Sequence, residues 1–177
     1  MELPLSPQVD RNRTEFGYYA TSCGCKECSC YCRFMPGYLL PDDLRRLSGK
    51  DKAVEICEWA KDWLLASPGA VVAKGENVFR VPTIVPALSK NGCIWLGSKG
   101  ECTVHATAPF GCRFFNSHGP RSQQDLLGTK GLTAIIHDWL ENGVYAQTWR
   151  YLDERGLRAR APEEARREAQ DTYEKER

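Results

Sequence analysis

Cys23-Gly24-Cys25-Lys26-Glu27-Cys28-Ser29-Cys30-Tyr31-Cys32 places five of the nine cysteines of this 177-residue chain within ten residues. A packed core gains nothing from sulfur that valine would not supply, so a run this dense points to the binding of soft metal ions. Cys93, Cys102 and Cys112 follow as a second group, spaced as further ligands would be. The ninth, Cys57, lies beside the apolar face of a helical stretch with no other thiol near it in sequence, and is expected to pack as a core residue. The candidate metal ligands are therefore Cys23, Cys25, Cys28, Cys30, Cys32, Cys93, Cys102 and Cys112.

A tetrahedral zinc site has Zn–S bonds near ~2.3 Å, which brings its sulfurs to roughly 3.8 Å from one another. The spacing Cys25-x-x-Cys28 is the turn that permits such convergence. Extended Cys-x-Cys pairs point to one side with backbones ~6.6 Å apart, so they need a local turn or serve neighbouring metals. Eight thiols suffice for two four-cysteine sites, one cubane iron–sulfur cluster with spare ligands, or a thiolate-bridged multinuclear centre.

Disulfides are the competing use of so many cysteines, and they require an oxidising compartment. The opening Met1-Glu2-Leu3-Pro4-Leu5-Ser6-Pro7 has an acid and two prolines where a basic segment and an apolar run mark a secretory signal. Nine is an odd number, and about 5% cysteine falls below the roughly 8–10% of disulfide-stapled scaffolds. A reduced, cytoplasmic protein is expected. No apolar run approaches the ~20 residues that span a bilayer, so no membrane association is expected. Lys plus Arg (24) nearly balances Asp plus Glu (23), which gives no overall field toward nucleic acid. Neither GxGxxG, Walker, HExxH nor GxSxG patterns occur, which removes the commonest nucleotide, zinc-protease and serine-hydrolase readings.

Composition divides the chain into an N-terminal arm (1–22), a cysteine-cluster metal-binding domain (23–118), a helical extension of the same globule (119–156) and a charged C-terminal helix or tail (157–177). Pro41-Asp42-Asp43-Leu44 opens a short helix ending near Gly49. Ala53, Ile56, Ala60, Trp63 and Leu64 recur at helical spacing, predicting a helix over 51–66 stopped by Ser67-Pro68-Gly69. Residues 71–73 and 78–81 flank the turn-prone Lys74-Gly75-Glu76-Asn77 as a hairpin, and Pro82 and Pro86 make the next segment irregular or an edge. Short strands are expected at 94–96 and 103–104. Thr129 reads as the cap of a helix over 130–142 terminated by Gly143, and a further helix covers 145–154. The stretch 162–177 has almost no apolar stripe and reads as a solvated helix or one that needs a partner, the solvated form being the expectation.

Cys93-Ile-Trp-Leu-Gly-Ser-Lys-Gly-Glu-Cys102-Thr-Val-His105, followed by Pro109-Phe110-Gly111-Cys112-Arg113-Phe114, resembles the CxxCxxCC family, also called YkgJ-like, a zinc- or iron-chelating domain. The family's cysteine, aromatic and leucine, its glycine-bearing turn, its Cys-x-Ile/Val and its Pro-x-x-Cys-Arg-x-Phe segment all have counterparts here, and Pro41-Asp42-Asp43-Leu44 fits its helix after the first cysteine group. The first cluster departs from the pattern, reading CxCxxCxCxC without an adjacent Cys-Cys, and Ala108 stands where arginine is usual. The resemblance implies zinc or iron bound by cysteine over about residues 20–118. Some longer members are flagellin lysine N-methylases, which implies that such a centre supports modification of protein lysine.

Arg113 and His118 are the candidate residues beside the bound cofactor. Four thiolates on one divalent ion leave a net charge of about −2, so Arg113 is expected to offset it, and its other reading is an anchor for an anionic substrate. His118, in the loop 116–119, is the residue best placed for proton transfer if the centre is catalytic. His105, three residues after Cys102, is expected near the ligands or at the surface. The sequence thus predicts a small α+β, cysteine-rich metal-binding domain with short β-strands and flanking C-terminal helices. It is expected to bind zinc or an iron–sulfur cluster and to carry out redox chemistry or modification of a protein or peptide. A structural metal-binding module that binds a protein partner is the alternative, separated from the first by whether a coordination position is left open.

Overall fold

The hairpin at the centre of the chain sets the frame on which the cysteine segments are hung. In the computed structural model, which describes residues 8–10, 20–22, 26–114 and 120–177, β3 (Leu64–Lys74) pairs antiparallel with β4 (Asn77–Pro86). The turn between them uses Gly75 at φ 61°, a left-handed conformation open to glycine. Two smaller antiparallel pairs join β1 (Gln8–Asp10) to β2 (Ala20–Ser22), and β5 (Leu88–Ser89) to β6 (Gly92–Cys93). The helices are α1 (Lys26–Phe34), α2 (Pro41–Ser48), α3 (Ala53–Trp63), α4 (Phe110–Arg113), α5 (Arg121–Leu140), α6 (Val144–Glu154) and α7 (Pro162–Glu176). The mixed α+β class expected from the sequence is the one observed.

Several element boundaries differ from expectation, each for a tertiary reason. Helix α3 stops at Trp63 because Leu64, Leu65 and Ala66 pair with Pro86, Val85 and Ile84 and bury Leu64 and Ala66. Ser67-Pro68-Gly69 is therefore no helix stop but a bulge within β3, with Gly69 at φ 85° and its backbone against the Val81 carbonyl. Pro82 sits opposite that bulge, where no ladder hydrogen bond is required of it. The strands expected at 94–96 and 103–104 reduce to one bridge, Leu96 to Cys102, within a looped segment. Thr129 lies inside α5, donating to the Asp125 carbonyl, and caps nothing. Gly143 closes α5 as expected, its amide donating to the Asp138 carbonyl at 2.8 Å, and also starts α6, where Asp138 Oδ1 accepts the Ala146 amide. Helix α7 is not solvated all round: Ala165 and Ala169 are buried, and it packs on α1.

The core gathers Leu39, Leu44, Ile56, Ala60, Leu64, Ile84, Leu127, Ile135, Tyr145 and Leu152 between the hairpin and α2, α3, α5 and α6. Each fully buried large aliphatic side chain contributes about 1.5–3 kcal/mol. Tyr145 is enclosed, and its hydroxyl donates to the Leu39 carbonyl (2.9 Å) while accepting the Ile84 amide (2.7 Å). The Leu39 amide meets the Ile84 carbonyl at 2.8 Å, so the segment following α1 is fastened to β4. Cys57 is buried between α3 and α6, 3.6 Å from Thr148 Oγ1, as a core thiol.

Asp43 ties this core to the C-terminal cysteine segment. It is fully buried; Oδ2 accepts the amides of Leu40 (2.9 Å) and Phe110 (2.8 Å), and Oδ1 meets Arg46 Nη2 at 2.6 Å. Removing the carboxylate strands two buried amides and takes its ionic partner from Arg46. Asp43→Ala is expected to cost about 3–5 kcal/mol, against about 1–3 kcal/mol for the isosteric Asp43→Asn, as read from urea unfolding midpoints.

Candidate functional site

Residues 26–34 contain neither glycine nor proline and form α1, which Pro36 and Gly37 follow. Helical geometry changes how the first cysteine group is displayed. Cys28 and Cys32, four apart, share a face, and Cys32 Sγ lies 3.8 Å from the Cys28 carbonyl. Cys30, two residues from each, faces the other way; it is buried, and its thiol donates to the Ala169 carbonyl of α7 at 3.5 Å. The extended Cys-x-Cys geometry expected for this run is absent from 28–32 because the backbone there is helical. Cys23, Cys25 and His118 lie outside the described residues.

Strand β6 brings the second group to α1 through a glycine. Gly92 has φ 113°, and a Cβ there would stand 2.7 Å from Arg33 Cα and 3.1 Å from the Cys32 carbonyl. Only a residue without a side chain lets the two backbones meet, and the next residue is Cys93. A second such contact joins Gly37 to Gly111: a Cβ on Gly37 would lie 2.1 Å from the Gly111 carbonyl carbon, and Cys112 follows directly. Cys112 Sγ is 3.8 Å from the Gly37 carbonyl. The Leu96–Cys102 bridge and the bond from the Thr103 amide to the Trp95 carbonyl (2.8 Å) fold the loop 94–104 back on itself and return Cys102 to Cys93.

Cys32, Cys93, Cys102 and Cys112, from four separate segments, thereby come within Coulombic reach of one another. Burial and then the neighbouring sulfurs Cys93, Cys102, Cys28 and Cys30 push the Cys32 thiol up to about 12. Burial, with Cys102 adding to it, pushes Cys93 up to about 11. Burial also raises Cys102, and raises Cys112 well above the usual thiol value, the latter with help from Cys32, Cys93 and Cys102. Main-chain hydrogen bonds from Trp95 to Cys93 and from Val104 to Cys102 act the other way, each two residues beyond its cysteine and each favouring a thiolate. Burial thus favours the neutral thiol at each of the four. Cys30, Cys32, Cys57, Cys93, Cys102 and Cys112 are not in disulfides. Among the described residues, no three His, Cys, Asp or Glu side chains are arranged to hold a metal ion.

Two guanidinium groups set the path of the chain between Cys102 and Cys112. Arg113 is buried, and its Nη1 donates to the His105 carbonyl at 2.8 Å. Arg46, itself held by Asp43, donates to the carbonyls of Thr107 and Ala108. Burial lowers the Arg113 pKa. His105 is exposed on the short 3-10 turn His105–Thr107. Tyr38, Phe110 and Phe114 pack in a row with tilted rings at centroid distances of 5.6 and 5.1 Å on the core side of this region. Sequence reasoning missed Gly92, Gly37 and Gly111 as the residues that assemble the thiols; the dipeptide Asn91-Gly92 is a turn signal, but nothing local announces that α1 will lie against it.

Comparison of the chain with protein-family models, curated proteins and solved structures finds no match. Among the described residues no helix is long and apolar enough to cross a membrane.

Gly92→Ala and Gly100→Ala separate close approach from backbone conformation, since a Cβ on Gly100 (φ 81°) would meet nothing within 4 Å whereas one on Gly92 meets α1. Gly100→Ala should cost about 1–2 kcal/mol of backbone strain. Gly92→Ala should exceed it by about 1 kcal/mol or more, because an α1 contact is displaced as well. Denaturant unfolding of the two variants side by side checks the order.

Proposed function

We propose that the chain is a metal-binding protein in which Cys32, Cys93, Cys102 and Cys112 hold zinc or an iron–sulfur cluster. The single observation that supports this reading is the gathering of four thiols from segments as far apart in sequence as 32 and 112, each within the electrostatic influence of the others. Four like groups that raise one another's pKa lower stability whenever one ionises, and a cation among them reverses that sign. Main-chain donors aimed at Cys93 and Cys102 suit thiolates bound to metal. The resemblance to the CxxCxxCC family rests on three of these four cysteines and on Asp43, whose contacts to Leu40, Phe110 and Arg46 give the Pro41-Asp42-Asp43-Leu44 match a structural meaning.

Cys28 shares the Cys32 face of α1 and makes a fifth donor, one more than a closed tetrahedral zinc site takes. A surplus thiol does not fit one closed tetrahedral zinc and suits an iron–sulfur or multinuclear centre, which is the kind that takes part in redox chemistry or the modification of a protein or peptide. The structural-module reading has its own support in the loop 94–104, whose regular structure is one bridge and which a metal would cross-link to α1 and α4. A coloured, redox-active protein after anaerobic purification supports the first; a colourless protein holding zinc in stoichiometric amount supports the second.

Metal analysis of the full chain tests the reading directly. Serine substitution at Cys32, Cys93, Cys102 or Cys112 should each lower bound metal several-fold, whereas Cys57→Ser, between α3 and α6, should leave it intact. Metal-free wild-type protein purified anaerobically, or full occupancy in both Cys93→Ser and Cys112→Ser, overturns it. The protonation states add a second expectation. Because the free thiols titrate far above neutrality, at about 12 for Cys32 and about 11 for Cys93, zinc added at pH 7 should displace about one proton per sulfur, roughly four in all, and affinity should fall as pH falls. Calorimetry in buffers of different ionisation enthalpy counts those protons.

A further inference from the structure

Helix α1 has nine residues, fewer than the ~12–15 at which an isolated helix begins to hold, so whatever packs against it decides where its thiols stand. Two elements make its main contacts, β6 and α7. Strand β6 meets it at Cys32 and Arg33 through Gly92. Helix α7 takes the Cys30 side. There the Cys30 thiol is 2% exposed and bonded to the Ala169 carbonyl, while Arg33 Nη1 and Nη2 meet Glu176 Oε1 and Oε2 at 3.0 and 2.6 Å. The Cys30 contact falls on Ala169, buried like Ala165 one helical turn before it, in a helix otherwise composed largely of charged and polar residues. The Arg33–Glu176 pair is half exposed and adds little by itself. Small-residue packing under Cys30 therefore carries the contact.

We propose that α7 is a clasp for the thiol-bearing helix: by holding the Cys30 face of α1 it positions Cys32 toward Cys93, Cys102 and Cys112, so that docking of α7 and occupancy of the metal centre are coupled. This rests on the metal-centre reading above. Cys30 acts as a positioning residue in it, distinct from the thiols that face the centre. Coupling is reciprocal: whatever factor α7 docking adds to metal affinity, metal adds to α7 docking. A released α7 would free α1 to tilt about its contact with Gly92, and Cys32 would lose its place.

Alkylation of Cys30 reports the clasp without reference to any activity, since maleimide reaches that sulfur only when α7 lifts. In the full chain, kept anaerobic and reduced, saturating Zn²⁺ should slow modification of Cys30 by N-ethylmaleimide about tenfold or more, scored on the Cys30 peptide by mass spectrometry. Cys57, enclosed between α3 and α6, serves as the control for global opening and should change much less. Ala169→Leu, which overfills the interface, should weaken Zn²⁺ binding in chelator competition by about tenfold and speed Cys30 alkylation, whereas Ala169→Ser should keep both near wild type. Wild-type Zn²⁺ affinity in Ala169→Leu with Cys30 reacting fast overturns the coupling, and so does a Cys30 rate in wild type that ignores Zn²⁺. If Ala169→Leu fails to fold, with Cys57 reacting as fast as Cys30, the comparison of wild type with and without Zn²⁺ decides alone. A null Zn²⁺ titration of wild type that is also metal-free after anaerobic purification overturns the metal-centre reading and the coupling with it, and is recognised as such because it precedes any comparison of variants.

Discussion

A single buried carboxylate, Asp43, ties together parts of the chain that lie far apart in sequence. Its two oxygens accept from Leu40 at the start of α2 and from Phe110 at the start of α4, and orient Arg46, which in turn fixes the carbonyls of Thr107 and Ala108. A burial of this kind costs free energy unless every lone pair is used. Here the use of them sets the register between the segment after α1 and the segment bearing Cys112. Phe110 then sits in the core against Tyr38 and Phe114, and Gly111 and Cys112 are carried to the Gly37 backbone. The thiol group is the far end of a chain of contacts that begins in the hydrophobic core.

Packing on both sides of the cysteine segments relies on residues with little or no side chain. Gly92 against α1, Gly37 against Gly111, and Ala169 at Cys30 all substitute backbone proximity for side-chain contact. Thiols are short, and four of them from separate segments can approach only where the backbones that carry them are close. The larger apolar residues are concentrated elsewhere, between the hairpin and the helices α2, α3, α5 and α6. The thiol segments join that core at its edge, where Cys93, Trp95, Phe110 and Phe114 are part of it and Cys32 packs against it.

What could be read from sequence was local. Pro41 and Gly49 bracket α2 because proline suits a first turn and Gly49 takes the left-handed cap at φ 64°. Lys74-Gly75-Glu76-Asn77 marked the hairpin, and Leu132, Ile135, Ile136 and Trp139 marked α5, although that helix starts a full two turns earlier than its stripe suggested. Ser67-Pro68-Gly69 misled, since the same three residues serve a helix stop and a β-bulge equally well, and only pairing with β4 decides between them. The grouping of the thiols was legible in composition, yet the helical state of 28–32 was not, because cysteine spacing suggests ligation geometry and hides helical period. Docking of α7 could not be foreseen from two alanines in a charged helix. The contacts that assemble the site, at Gly92, Gly37 and Gly111, are defined by what they touch far away in sequence, and no local pattern encodes them.

The Tyr145 hydroxyl, which bridges Leu39 and Ile84 from residues 106 and 61 positions away, sets an order of events during synthesis. A ribosome adding ~5–20 residues per second extrudes the chain from its N-terminus. Cys32, Cys93, Cys102 and Cys112 all emerge before α6 exists to close the frame behind them. Contacts so distant in sequence are slow to form, because loop closure must precede the burial that rewards it. For several seconds the nascent chain exposes most of its sulfur with no core to support it, so the last third of the polypeptide governs when the first two thirds become sheltered.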